Sequence, residues 1–223
     1  MKMKIKNFTL VELLVVIAVI SILLSLLLPQ LNKTRRKAKT VLCCNNYKQN
    51  IRALLKYTRD NNGRFPKVRG TQTSWLGQKG TGWYNKKKLS IEVKPLNIYL
   101  GRFKEGDTVP TSRCPETLDD DYWFNLYGTD YDANNSAHTY ASLSERHTRF
   151  LSEVSDASRM VALYEEAVYE QMYSAPVPDG LYKHSDIGQP LFNLGFVDGS
   201  VIARTPMMQR QEWNDKYSLR NDK

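Results

Sequence analysis

The sequence predicts an α+β protein in which one long N-terminal helix packs on a small antiparallel sheet, and three observations point there. Residues 8–28, FTLVELLVVIAVISILLSLLL, form an apolar run broken by one charge, Glu12. Beyond it, apolar residues recur at three-and-four spacing to about residue 55, the period of one helix face. The C-terminal half instead carries short β-rich runs, Met160 to Tyr164 and LFNLGFVDGSVIAR, set off by turn residues.

The first element is a membrane-spanning helix. At about 1.5 Å per residue, the 21 residues of the run reach roughly the 30 Å of a bilayer's hydrocarbon core. A secretory signal would carry about 7–15 apolar residues and then a small-x-small cleavage site. Here Pro29, Gln30 and a basic amphipathic continuation follow, so the run is expected to stay in the mature protein. A carboxylate one turn inside such a helix costs about 2.5–3.5 kcal/mol on insertion scales. Glu12 therefore needs a partner or a place near the interface, unless it is an accidental charge at a helix end.

The helix is expected to continue over residues 29–60. Leu31, Arg35, Ala38, Val41 or Leu42, Tyr47, Ile51, Leu54 and Leu55 form its mostly apolar stripe, and Lys33, Arg36, Lys37, Lys39, Lys48, Arg52, Lys56 and Arg59 its polar face. Packing on the chain's own domain explains the stripe more simply than a coiled coil does. Pro29 removes one backbone hydrogen bond and is expected to kink or loosen the helix. Asp60-Asn61-Asn62-Gly63 ends it, because Gly or Asn takes the left-handed position before Phe65-Pro66.

Phe8, Thr9, Leu10 and Glu12, followed by the long apolar helix and Pro29, resemble the prepilin-type cleavage/methylation segment of type IV pilins and type II secretion pseudopilins. Cys43, Asn45, Asn46, Lys48 and Gln49 extend the resemblance to about residue 56. It implies a basic leader, residues 1–7, cut between Asn7 and Phe8 by a prepilin peptidase and N-methyltransferase. Asn7 stands where the family normally carries Gly. It also implies that Glu12 acts in assembly, opposite the new terminal amine of a neighbouring subunit.

Charge is unevenly distributed. Residues 1–59 hold 12 Lys/Arg against Glu12 alone, while the remainder holds 20 Lys/Arg against 22 Asp/Glu. The basic pI of about 9.4 thus belongs to the N-terminal helix, and a nucleic-acid partner, which calls for a basic patch on the folded surface, is not favoured. Lys2, Lys4 and Lys6 fit a cytoplasmic N-terminus, but nine Lys/Arg follow within residues 33–59, so charge alone leaves orientation open. The resemblance decides it.

About 160 residues remain for one globular domain, residues 64–223. From Lys67 to Asn97 the chain is rich in Gly, Lys, Thr and aromatics and is expected to be loop, with a short helix from Pro95 to Leu100. Trp75, Trp83 and Tyr84 suit a sugar-stacking surface, although aromatics in a small loop-rich domain usually bury themselves. Asp119 to Asp121 and YGTDYDANN offer oxygens for calcium, which related pseudopilins bind; without EF-hand spacing they are expected to be solvated loop. Leu151 to Val154 and Asp156-Ala157-Ser158 lead into a buried strand, Met160 to Tyr164, ending in Glu165-Glu166.

Asp198-Gly199 between two β-rich runs predicts a two-residue type I′ hairpin, which needs positive φ at both residues. Asn193, Phe196, Asp198 and Gly199 also resemble a C-terminal module often found behind such N-termini, in which nine residues separate a His from Asp-Gly. Thirteen residues separate His184 from Asp198 here. His184, Asp186 and Asp198 are the candidates for a metal site; no second His lies at helical spacing, and His138 and His147 lie in unrelated sequence. No GxSxG, HExxH, phosphate-loop or dinucleotide motif occurs, so no enzyme and no cofactor are expected.

These readings converge on a subunit anchored in the bacterial inner membrane, N-terminus cytoplasmic and domain extracytoplasmic, that assembles with itself or other pilin-like subunits into a type IV pilus or type II secretion filament. The alternative is a membrane-anchored binding module, for glycans for example, with the N-terminus as tether. An extracytoplasmic domain meets an oxidising compartment, so a disulfide is expected between Cys43 and Cys114, with Cys44 left over. A bridge closing some 70 residues contributes about 4 kcal/mol in the entropic account. Three buried thiols are the alternative.

Overall fold

A computed structural model of the chain describes residues 9–66, 75–81, 88–117, 122–134, 150–165, 168, 184–186 and 189–206. The leader with Asn7 and Phe8 lies outside them, as do Trp83, Tyr84, Asp119 to Asp121, His138 and His147. The chain divides into two compact units, Met1–Lys39 and Thr40–Lys223. One helix, α1 (Leu10–Asp60), belongs to both.

Local chemistry sets both ends of α1. Thr9 and Glu12 form a capping box: Oε2 of Glu12 accepts from the Thr9 backbone N–H and from its hydroxyl, both at 2.9 Å, while the Glu12 N–H donates to Thr9 Oγ1 at 3.2 Å. At the far end Asn62 and Gly63 take φ of 55° and 77°, and the Gly63 N–H closes onto the Thr58 carbonyl at 2.7 Å, the left-handed stop expected there. Pro29 lies inside α1, which continues through it without interruption.

In the second unit the buried stripe of α1 is Thr40, Cys43, Tyr47, Asn50, Ile51, Ala53, Leu54 and Thr58. This corrects the expected stripe near its start, since Val41 and Leu42 are exposed and Cys43 is wholly buried. Three- and four-residue steps back from Tyr47 and Asn50 reach Cys43 and Thr40, so the face follows these small residues rather than the most apolar ones.

The stripe packs on an antiparallel sheet built from β3 (Tyr131–Ala133), β4 (Val161–Glu165), β5 (His184–Asp186), β6 (Gln189–Phe196) and β7 (Val201–Pro206); β1 (Gly80–Thr81) and β2 (Lys88–Leu89) pair separately. The central strand is β6. Leu194 and Gly195 pair with β4 on one edge and β7 on the other. Leu191 pairs with His184 of β5 and Pro206 of β7, so β4 and β5 lie end to end along the same edge of β6. Glu165 closes β4 and His184 opens β5. Phe192 and Asn193 sit at the junction.

Helix and sheet meet most closely at Gly195. A Cβ there would lie 2.6 Å from Ile51 Cδ1 and 2.8 Å from Tyr47 Cδ1. Tyr47 is fixed from two sides: its hydroxyl donates to the Asn193 carbonyl at 2.9 Å, and its ring meets that of Tyr131 edge-on, centroids 4.7 Å apart.

Residues 127–134 of the stretch YGTDYDANN are not the expected solvated loop. They end α3 (Tyr122–Tyr127) and form β3, with Asp130, Asp132 and Asn134 all buried. Asp130 Oδ2 accepts from the Cys114 N–H at 2.7 Å and the Thr117 hydroxyl at 2.6 Å, so this oxygen fastens the Cys114 loop. The short helix near Pro95 begins two residues later than expected, as α2 (Asn97–Leu100). Lys94, just before it, is fully buried, with its Nζ donating to the Tyr127 carbonyl at 3.2 Å.

Candidate functional site

Two features carry chemistry, one in each unit. In the first, α1 is long and apolar enough to cross a membrane, with a mean hydropathy of 3.0 over its most apolar stretch. The large apolar side chains from Leu10 to Leu31 are all exposed within this chain. Ser21 and Ser25 satisfy their hydroxyls on the helix's own carbonyls, those of Ile17 and Ile22 at 2.7 Å, as a helix in hydrocarbon requires. Glu12 is the one charge in the run, and both Thr9 bonds fall on its Oε2.

The second feature lies in the core, at the junction of β4 and β5. Cys43 from α1, Cys114 from the loop after the 3-10 turn at residues 110–112, and His184 from β5 are buried, with their donor atoms all within 4.8 Å of one another. His184 Nε2 lies 3.5 Å from Cys114 Sγ, 3.2 Å from Glu165 Oε1 and 2.7 Å from the Asn193 amide. On the other side of the ring, Nδ1 lies 3.2 Å from Glu116 Oε2. Cys43 Sγ accepts from Asn193 Nδ2 at 3.3 Å and lies 3.4 Å from the Tyr131 hydroxyl.

Burial alone would favour neutral imidazole, but the Glu165 carboxylate, the Cys114 sulfur and the Glu116 carboxylate outweigh it and push His184 up to about 12. The Cys114 thiol is held far above its ordinary range by the neighbouring Cys43 and by burial. Burial also raises the half-buried Cys44. With Glu165 Oε2 buried and without a hydrogen-bond partner, the pocket holds a concentrated set of polar donors inside an apolar shell.

No family profile, curated protein or solved structure matches this chain. The site is therefore read from its own geometry.

The expected residues fare differently. The structure brings Cys43 and Cys114 together, but the disulfide is not formed: all three cysteines are free thiols, and the pair shares its space with His184. His184 does not gather Asp198, and the side chain of Asp186 lies outside the described ones. Asp198 is exposed at the β6–β7 turn, and among the described residues the groups around His184 are those named above. The turn itself is a hairpin of a different type. Only Gly199 has positive φ, 90°, because Asp198 Oδ1 accepts from the Ser200 N–H at 2.8 Å and the Gly199 N–H bonds the Phe196 carbonyl, which is a type I turn with a left-handed Gly. Trp75 is wholly buried and offers no sugar-stacking face.

The sequence did not place Glu116, Glu165 or Asn193 in a site, although Glu165 was read as a strand end and Asn193 as part of the C-terminal resemblance. One signal was available for Glu165, an acid closing the otherwise apolar run VALYE; none marked Glu116. The Thr-x-x-Glu spacing of Thr9 and Glu12 was also legible as a capping box.

Proposed function

We propose that this chain is a pilin-like or pseudopilin-like structural subunit, held in the inner membrane by the first part of α1 until it assembles with like subunits into a type IV pilus or a type II secretion filament. One observation carries the reading. A single helix, Leu10–Asp60, presents an apolar surface with one acid at its start and supplies Cys43, Tyr47, Ile51 and Leu54 to the core of an α+β unit at its end. Apolar side chains of the first part need a covering, which lipid supplies to a lone subunit and neighbouring helices supply in a filament.

Glu12 sets the register in this scheme. Its carboxylate meets the Phe8 ammonium of a neighbour, so two desolvated charges are compensated together, and a helix slipped by one turn leaves both unpaired. The capping box holds the carboxylate at the start of the helix. The domain is extracytoplasmic, the N-terminus cytoplasmic, and no catalytic step is assigned.

The reading requires processing. Mass spectrometry of the protein from membranes is expected to find a chain beginning at Phe8, with or without a methyl group on its amine. A chain that keeps Met1 would make the helix a permanent tether and remove the ammonium from the scheme.

A further inference from the structure

We propose that Cys43, Cys114 and His184, with Glu165 as fourth donor, form a structural zinc site in the core, independent of how the N-terminal helix is used. The spacing of the donors is the first argument. Around tetrahedral zinc, with Zn–S about 2.3 Å and Zn–N or Zn–O about 2.0–2.2 Å, neighbouring sulfur and nitrogen ligands lie about 3.6 Å apart and nitrogen and oxygen ligands about 3.4 Å apart. His184 Nε2 lies 3.5 Å from Cys114 Sγ, and the two sulfurs and the ring nitrogen all lie within 4.8 Å of one another; Glu165 stands outside that trio, with its Oε1 3.2 Å from Nε2.

The surroundings are those of a metal ligand set. A zinc-bound histidine usually turns its other nitrogen to a carboxylate or carbonyl, which fixes the ring; the Glu116 carboxylate is in place for this, its Oε2 3.2 Å from His184 Nδ1, although that contact does not have hydrogen-bond geometry here. Each sulfur receives an N–H, Cys43 from Asn193 Nδ2 at 3.3 Å and Cys114 from the Glu116 backbone at 3.5 Å, as thiolates do. Glu165 Oε2, fully buried and without a hydrogen bond, belongs to a carboxylate whose cost of burial a dication would offset.

Donor type selects the ion. Two thiolates and an imidazole suit zinc, whereas calcium takes oxygen ligands only. Binding Zn²⁺ displaces the proton of each thiol and any proton on Nε2, and with the Glu165 carboxylate the four-donor shell carries a net charge of −1, as a Cys₃His shell does. The ion would tie together α1, the Cys114 loop and the ends of β4 and β5, four segments that meet nowhere in the sequence.

The test uses the full-length chain purified in mild detergent without chelator. Metal analysis is expected to give one zinc per chain, retained in Cys44→Ser and reduced tenfold or more in Cys114→Ser, and Glu116→Gln is expected to weaken zinc affinity about 10–100-fold. Because Cys114→Ser also places a hydroxyl in the buried core, the wild-type protein is stripped with a chelator and titrated. Zn²⁺ but not Ca²⁺ is expected to raise the unfolding midpoint and to protect Cys43 and Cys114 from alkylation, and Co²⁺ to give the charge-transfer bands of thiolate coordination. A Cys43–Cys114 disulfide in peptide maps of the purified protein, or a stripped protein whose stability and alkylation ignore Zn²⁺, would overturn the assignment.

Discussion

Gly195→Val is expected to destabilise the full-length chain in detergent by more than 3 kcal/mol, at or beyond the upper end of the usual cost of about 1–3 kcal/mol for overpacking. Even the Cβ falls 2.6 Å from Ile51 Cδ1 and 2.8 Å from Tyr47 Cδ1, and valine adds two methyl groups to it. Ile51 can turn its terminal methyl, but Tyr47 cannot yield without losing its bond to the Asn193 carbonyl and its contact with Tyr131. The same displacement would spread to Asn193 and the cluster beside it. Urea titrations of wild type, Gly195→Val, Ile51→Ala and the double variant check the cause. Ile51→Ala opens room at the contact, so the double variant should lose less than the sum of the two single losses. Additive losses would mean that the helix and β6 do not meet as described.

The second large effect depends on pH and comes from Lys94. Burial lowers its pKa from 10.5 to about 7, so the folded chain gives up this proton more readily than the unfolded chain. Below pH 7 both states hold the proton and the penalty for burying the ammonium is fully present. Between pH 7 and 10.5 the unfolded chain binds more protons, and stability rises with pH; above 10.5 the difference is gone. At about 1.4 kcal/mol per unit, the penalty is on the order of 4–5 kcal/mol. Lys94→Met keeps the apolar stem and removes the charge. Its stability gain over wild type should therefore be large at pH 6 and small at pH 10. A gain that does not change with pH would mean that the Nζ reaches water.

The long helix, its left-handed stop at Asn62-Gly63, the buried strand ending at Glu165 and the hairpin at Asp198-Gly199 were legible because each rests on local chemistry: period, left-handed residues, short-range bonds. The stripe was misread at Val41 and Leu42 because hydrophobicity was weighed above phase, and the face that carries Tyr47 also carries Thr40, Cys43 and Asn50. YGTDYDANN was misread because turn-forming side chains also serve as buried acceptors once a neighbouring loop supplies N–H groups, as that of Cys114 does for Asp130. The cluster was least legible. Its members come from residues 43, 114, 116, 165, 184 and 193, and what joins them is β6, whose single edge takes the end of β4 and the start of β5.

The central claim, that the N-terminal helix is an assembly element as well as an anchor, is tested most directly by recovering filaments from cells carrying either the wild-type gene or Glu12→Ala at matched membrane levels. The account predicts the wild-type chain in purified filaments, and Glu12→Ala in the membrane at normal amount but lost from filaments. Normal filaments with Glu12→Ala, or a wild-type chain that never leaves the membrane, would contradict it.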